Sequence, residues 1–178
     1  KLKYNSLNVT PVANKAISFD SDPDALEATL EGGAMTFIKK LTASSSGTLS
    51  FVDGSSDVVL DNTYKEYMFT FKDIHPASNT QRFTFQTSTD TGSSYGVTVT
   101  STAFGTYQYE NDSDRGLAND ANNDGRNQET TFQPITNTVG NGNDECGAGT
   151  LMLFKPSSTT FVKHWISDAT IYHNESLV

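Results

Sequence analysis

At 178 residues the chain is long enough for one domain with a substantial core, or one domain plus an arm. Twelve Lys and Arg against 21 Asp and Glu leave a net charge of −9, which argues against nucleic acid and anionic membrane surfaces as partners. No apolar run approaches the ~20 residues a membrane span needs, and a single cysteine, Cys146, rules out an internal disulfide framework or a multi-cysteine metal site.

Only 35% of residues are hydrophobic, but 11 Phe and 7 Tyr concentrate burial in a few large side chains. The opening KLKYNSLNVT carries charge but no hydrophobic stretch, so it does not read as a signal peptide. Residues 1–33 form a first region, read as an extended arm that anchors or docks. Ile17 and Phe19 suggest a brief strand. Asp22-Pro23-Asp24 offers a helix start, with a capping carboxylate and Pro at the first helical position, and Gly32-Gly33 would end two turns over residues 25–31. An isolated helix of that length is marginal unless it packs on something.

Residues 34–178 read as the folded domain. Over 35–71 the period is two. Phe37, Lys39 and Leu41 alternate with Thr36, Ile38 and Lys40; Leu49 and Phe51 flank Ser50; Val58 and Leu60 flank Val59; Tyr67, Phe69 and Phe71 share one face. Turn-forming clusters at 44–47 and 53–57 separate these runs, so the stretch predicts three or four antiparallel strands in series. Further strands are expected at 83–85, 95–100, 102–109, 151–154, 160–166 and 169–172, with a hairpin loop at 87–94. Many short strands, few helical windows and no alternation of strand with helix predict an all-β fold, an antiparallel β-sandwich of jelly-roll type. The exception is residues 110–149, a polar excursion broken only by Leu117, Phe132, Ile135 and Val139, of a length that is usually functional or disordered.

Three sequence segments carry a family resemblance. MTFIKKLTASSSGTLSFVDGSSDVVLDNTY, then YMFTFKDIHPAS, then FKPSSTTFVKHWIS resemble a family of virion structural proteins of marine, cyanophage-like bacteriophages, often described as tail-fibre-like. The resemblance spans residues 35–173. It implies a virion part, a tail fibre or a capsid decoration, built with other virion proteins such as a portal or tail adaptor or the major capsid protein. It also implies a homo-oligomer, with a trimer favoured, and brings no catalytic residues. Members of that family tend to continue past the equivalent of Val178, which implies closing strands that are either missing here or supplied differently.

Beside that reading stand a few candidate sites. Asp120, Asn122 and Asp124, followed by Gly125, match positions 1, 3, 5 and 6 of a calcium loop, where oxygen ligands converge because Gly permits a sharp turn. Position 12 is Thr131 rather than Glu, and Glu129, Asp112 or Asp114 would substitute only through a different wrap, so a solvated turn is the default and calcium the sharper alternative. No other cofactor is implied. Tyr107 and Tyr109, at the mouth of the excursion, are candidates for stacking on a sugar, or else the core face of their strand. His164 reads as a structural histidine facing the core or a sheet neighbour, and His75-Pro76 as a turn. No nucleophile elbow or triad spacing accompanies them, so no enzyme is expected. The leading expectation is a non-enzymatic virion subunit. The alternative is a carbohydrate-binding module, lectin-like and calcium-dependent if the loop binds its ion, that recognises a host surface glycan.

Overall fold

The computed structural model describes residues 18–19, 26–27, 35–118 and 125–172. The chain divides into two compact units, Lys1–Ile38 and Lys39–Val178. In the first unit a two-residue ladder joins β1 (Ser18–Phe19) to β2 (Leu26–Glu27), with Ser18 opposite Glu27 and Phe19 opposite Leu26. The strand near Phe19 is therefore present. The helix expected over 25–31 is replaced at Leu26 and Glu27 by extended backbone paired with Phe19 and Ser18, because a two-turn helix forms too few internal bonds to outcompete so close a ladder partner.

The second unit is all-β, with several antiparallel sheets and no helix among the described residues. Its largest sheet has three strands in the order β11 (His164–Ile171), β10 (Gly147–Phe154), β3 (Glu66–Ile74). The alternation read in 67–71 is what builds it. Tyr67, Phe69 and Phe71 stand on one face opposite Leu153, Leu151 and Gly149 of β10, which in turn stand opposite Trp165, Ser167 and Ala169 of β11. Tyr67, Phe71 and Leu151 are buried there. Gly149 is required: a Cβ at that position would stand 2.2 Å from the Asp168 carbonyl and 2.7 Å from the Phe71 ring. The two runs expected at 160–166 and 169–172 are one continuous strand, β11, which begins at His164 and puts Trp165, not His164, on the core face. His164 is exposed on the opposite face, beside Phe154.

Upstream of β3 the expected series of strands is absent. Residues 35–64 run as extended loops and turns, and none belongs to a strand. Turns within 52–60 bond their own backbone: Gly54 N–H donates to Val58 O at 3.0 Å, Ser55 N–H to Val52 O at 3.0 Å, and Leu60 N–H to the Asp53 carboxylate at 2.8 Å. The apolar residues of this stretch still serve the core. Phe51 meets Phe69 edge-on with centroids 5.4 Å apart, Val58 is buried, and Tyr67 donates its hydroxyl to Asp61 O at 2.9 Å. Period two here places side chains without building a ladder.

The rest of the unit is one long antiparallel ribbon. Its outgoing arm holds β4 (Thr84–Phe85), β5 (Val99–Thr100) and β6 (Gly105–Gln108), and its return arm β7 (Arg115–Ala118), β8 (Asn127–Glu129) and β9 (Gln133–Pro134). The pairings are nested: Gln81 with Val139, β4 with β9, β5 with β8, β6 with β7. Much of the polar excursion at 110–149 is thus the return arm, and the residues expected to form a hairpin loop at 87–94 form a side loop on the outgoing arm. The base of the ribbon packs its aromatics on the core face of the sheet, Phe83 on Phe71 at 4.9 Å and Phe85 on Trp165 at 5.0 Å.

Candidate functional site

The ribbon tip brings together one of the sequence-predicted pairs. β6 and β7 pair in register from Gly105 with Ala118 to Gln108 with Arg115, and Tyr109 N–H closes the ladder on Asp114 O at 2.9 Å. Asp112, with a φ of 55°, turns the chain, and its N–H donates to Tyr109 O at 3.0 Å. Tyr107 faces Gly116 across the ladder, and its ring lies over that glycine, 3.0–3.2 Å from where a Cβ would stand. Gly116 is therefore the floor on which the ring rests. Tyr109 lies beside it, centroids 5.8 Å apart and planes tilted by 46°. The Tyr107 hydroxyl donates to Asp114 at 3.2 Å, and that bond, with the carboxylate's charge, holds the phenol above its ordinary pKa. Tyr107 is exposed. The pair offers an aromatic surface edged by acceptors, the geometry on which a sugar's C–H face stacks while its hydroxyls bond.

The calcium-loop residues Asp120, Asn122 and Asp124 lie outside the described residues. The carboxylates that would complete a different wrap have partners of their own. Asp112 pairs with Arg115 at 3.1 Å, Asp114 holds Tyr107, and Glu129 accepts Thr131 Oγ1 at 3.0 Å and faces Arg126 at 3.7 Å. Among the described residues no group of three or more His, Cys, Asp and Glu side chains is placed to hold a metal ion.

One unusual group escaped sequence reasoning. Glu145 is 2% exposed; Oε2 accepts the Gly142 N–H while Oε1 is buried with no hydrogen-bond partner. Gly140 and Gly142 make room for it, since a Cβ on Gly140 would lie 2.1 Å from Oε2. The His75 ring bonds the Glu145 carbonyl through Nδ1 at 2.7 Å, and a carbonyl can only accept, so Nδ1 carries the proton. The spacing Gly140-x-Gly142-x-x-Glu145 was the visible signal, two glycines ahead of an acid in a loop. Tyr172, just after β11, has its pKa raised by partial burial first and then by the negative charge of Glu110 at the ribbon tip. A second polar hub lies in the side loop, where Asp90 accepts from Ser88 Oγ at 2.6 Å and from Ser94 N–H at 2.9 Å, which with the Ser94 hydroxyl bond lowers its pKa to about 2.

No helix of the described residues is long and apolar enough to cross a membrane. Comparison with protein-family models, curated proteins and solved structures returns no match.

Proposed function

We propose that the chain is a non-enzymatic structural subunit of a bacteriophage particle, displayed on a tail fibre or the capsid surface and assembled with other virion proteins and with copies of itself. One observation supports the assembly part. Among the described residues 13 large hydrophobic side chains are exposed, including Met68, Phe104, Phe161, Val162 and Ile166, while five hydrophobic residues are buried. An isolated soluble domain rarely leaves that much apolar surface in water, and such surface marks where other chains sit. The virion part rests on the resemblance carried by residues 35–64, 67–78 and 154–167. A jelly-roll-like sandwich, with residues 1–33 as an anchoring arm, belongs to the same proposal. The aromatic contacts between the ribbon base and the core face of the sheet support two-layer packing. Immunogold electron microscopy with antibodies to this chain tests the proposal: label on phage tails or capsids is expected, and particles that carry the gene but no label would refute it.

Glycan recognition at the ribbon tip is a second reading, supported by the exposed Tyr107 ring seated on Gly116 next to Tyr109. On that reading Tyr107→Ala abolishes binding on a glycan array without changing the fold. An array on which the natural chain binds nothing removes it.

A further inference from the structure

Among the described residues β11 is an unguarded sheet edge. Tyr172 N–H donates to Cys146 O at 2.9 Å, and the β10–β11 register runs without a break from Gly147–Ile171 to Phe154–His164. Antiparallel ladders alternate bonded and non-bonded pairs, so the even-numbered residues of β11 turn their backbone groups toward β10. Trp165, Ser167, Ala169 and Ile171 therefore turn theirs outward, and among the described residues no backbone group bonds that edge. The opposite edge, β3, has a register irregularity near its end, where Asp73 has a φ of 52°, and Glu66, Lys72 and Asp73 are exposed along it. These are the devices by which an edge avoids pairing. β11 has no bulge, proline or lysine within it.

We propose that two copies of this chain pair through β11, antiparallel about a two-fold axis at Ile166, so that two three-stranded sheets join into one of six. This rests on the assembly reading above and specifies its interface. The outward groups of odd residues allow only registers that pair odd with odd, and these differ in which side chains meet. With the axis at Ile166, Trp165 and Ser167 of one copy exchange backbone bonds with Ser167 and Trp165 of the other. The intervening non-bonded pairs, where side chains approach most closely, are then Ile166 with Ile166 and His164 with Asp168 in both directions. Moving the axis to Ser167 sets Ile166 against Asp168, and moving it to Asp168 sets two carboxylates face to face. The favoured register also joins the outer-face row Met68–Met152–Ile166 of each copy into one apolar stripe. If the ladder runs on, it lays exposed Phe161 and Val162 against Ile171 and Thr170 of the second copy. The surface is its own complement, as a two-fold contact requires.

Sedimentation equilibrium of the full chain tests this. The natural chain is expected at twice its 19.3 kDa mass over the micromolar range. Ile166→Asp is expected to give monomer. His164→Asp and Asp168→His, each placing like groups face to face, are expected to weaken association roughly tenfold, and the double swap to restore it. Far-UV circular dichroism checks that each variant is folded; should Ile166→Asp unfold, the swap series decides alone. A natural chain that stays monomeric overturns the proposal. So does a mass of three chains, which leaves the assembly reading standing. A double swap that fails to restore what the single changes lost overturns this register.

Discussion

The three-stranded sheet and the ribbon are both antiparallel, yet they are held together differently. In the sheet, side chains do the work: Tyr67, Phe69, Phe71, Leu151 and Trp165 share one face, and backbone pairing follows from their burial. In the ribbon, polar side chains bond the backbone. Gln133, 1% exposed, takes the Ser101 hydroxyl at 2.5 Å and donates to Pro134 O at 2.8 Å. Thr136 Oγ1 accepts Phe83 N–H at 3.0 Å, Ser101 Oγ accepts Arg126 N–H at 2.9 Å, and Arg126 donates to Phe132 O at 2.8 Å. Buried polar groups of this kind specify register strongly, because each costs about 1–3 kcal/mol if left unpaired. The sheet is fixed by what it hides from water, the ribbon by what it must satisfy.

The contrast can be broken at single positions. The largest loss is expected in the sheet. Gly149→Ala forces a methyl into the Asp168 carbonyl and the Phe71 ring, and is expected to cost about 3 kcal/mol, or roughly 10 °C in thermal midpoint. Gly140→Ala is next. Its methyl collides with the Glu145 carboxylate, for a loss of about 2 kcal/mol, and Glu145→Ala in the same chain should recover part of it. In the ribbon, Gln133→Leu keeps the volume but removes the acceptor of the Ser101 hydroxyl proton and the donor to the Pro134 carbonyl. Thermal denaturation should show a loss of about 1–2 kcal/mol, and amide exchange should accelerate in 99–101 and 126–134 ahead of the sheet.

Period-two aromatic alternation made β3 legible, since the residues that alternate are those that bury; of β10 only 151–154 was legible, and β11 was legible as two runs rather than one strand. The same cue misled over 37–60, where Phe51 and Val58 do reach the core but turns bonded within 52–60 leave no partner strand. Asp22-Pro23-Asp24 carries a helix-start signal that a nearby ladder overrode at Leu26 and Glu27. The return arm of the ribbon gave no hydrophobic signal, because Gln133, Thr136 and Arg126 hold it by bonds to residues 25–53 positions away. Of the tip, Tyr107 and Tyr109 could be picked out, but not Gly116 as their floor or Asp114 as their acceptor.

Smaller effects sharpen the same comparison by pH. Asp90 has a folded pKa lowered to about 2 by its Ser88 and Ser94 bonds. A lowered carboxyl pKa stabilises above the unfolded value and is lost as pH falls through the folded one. The side loop is therefore expected to loosen between about pH 4 and about pH 2, with little change in the sheet, and Asp90→Asn to loosen it at neutral pH. Carboxyl-detected NMR titration reads both. At the tip the sign reverses. Tyr107 has a raised pKa, so its bond to Asp114 contributes below the ordinary phenol value and is lost as pH rises through the raised one. Asp114→Asn should move its ultraviolet titration back toward the ordinary value.

The account depends most on the β11 edge being covered when chains assemble. Hydroxyl-radical footprinting at increasing protein concentration reads this directly, because Ile166, Phe161 and Val162, beside that edge, and Met68, two strands away on β3, are all exposed in the single chain. Ile166, Phe161 and Val162 are expected to become protected together as concentration rises, while Met68 stays open. Oxidation that stays the same at every concentration would contradict the account.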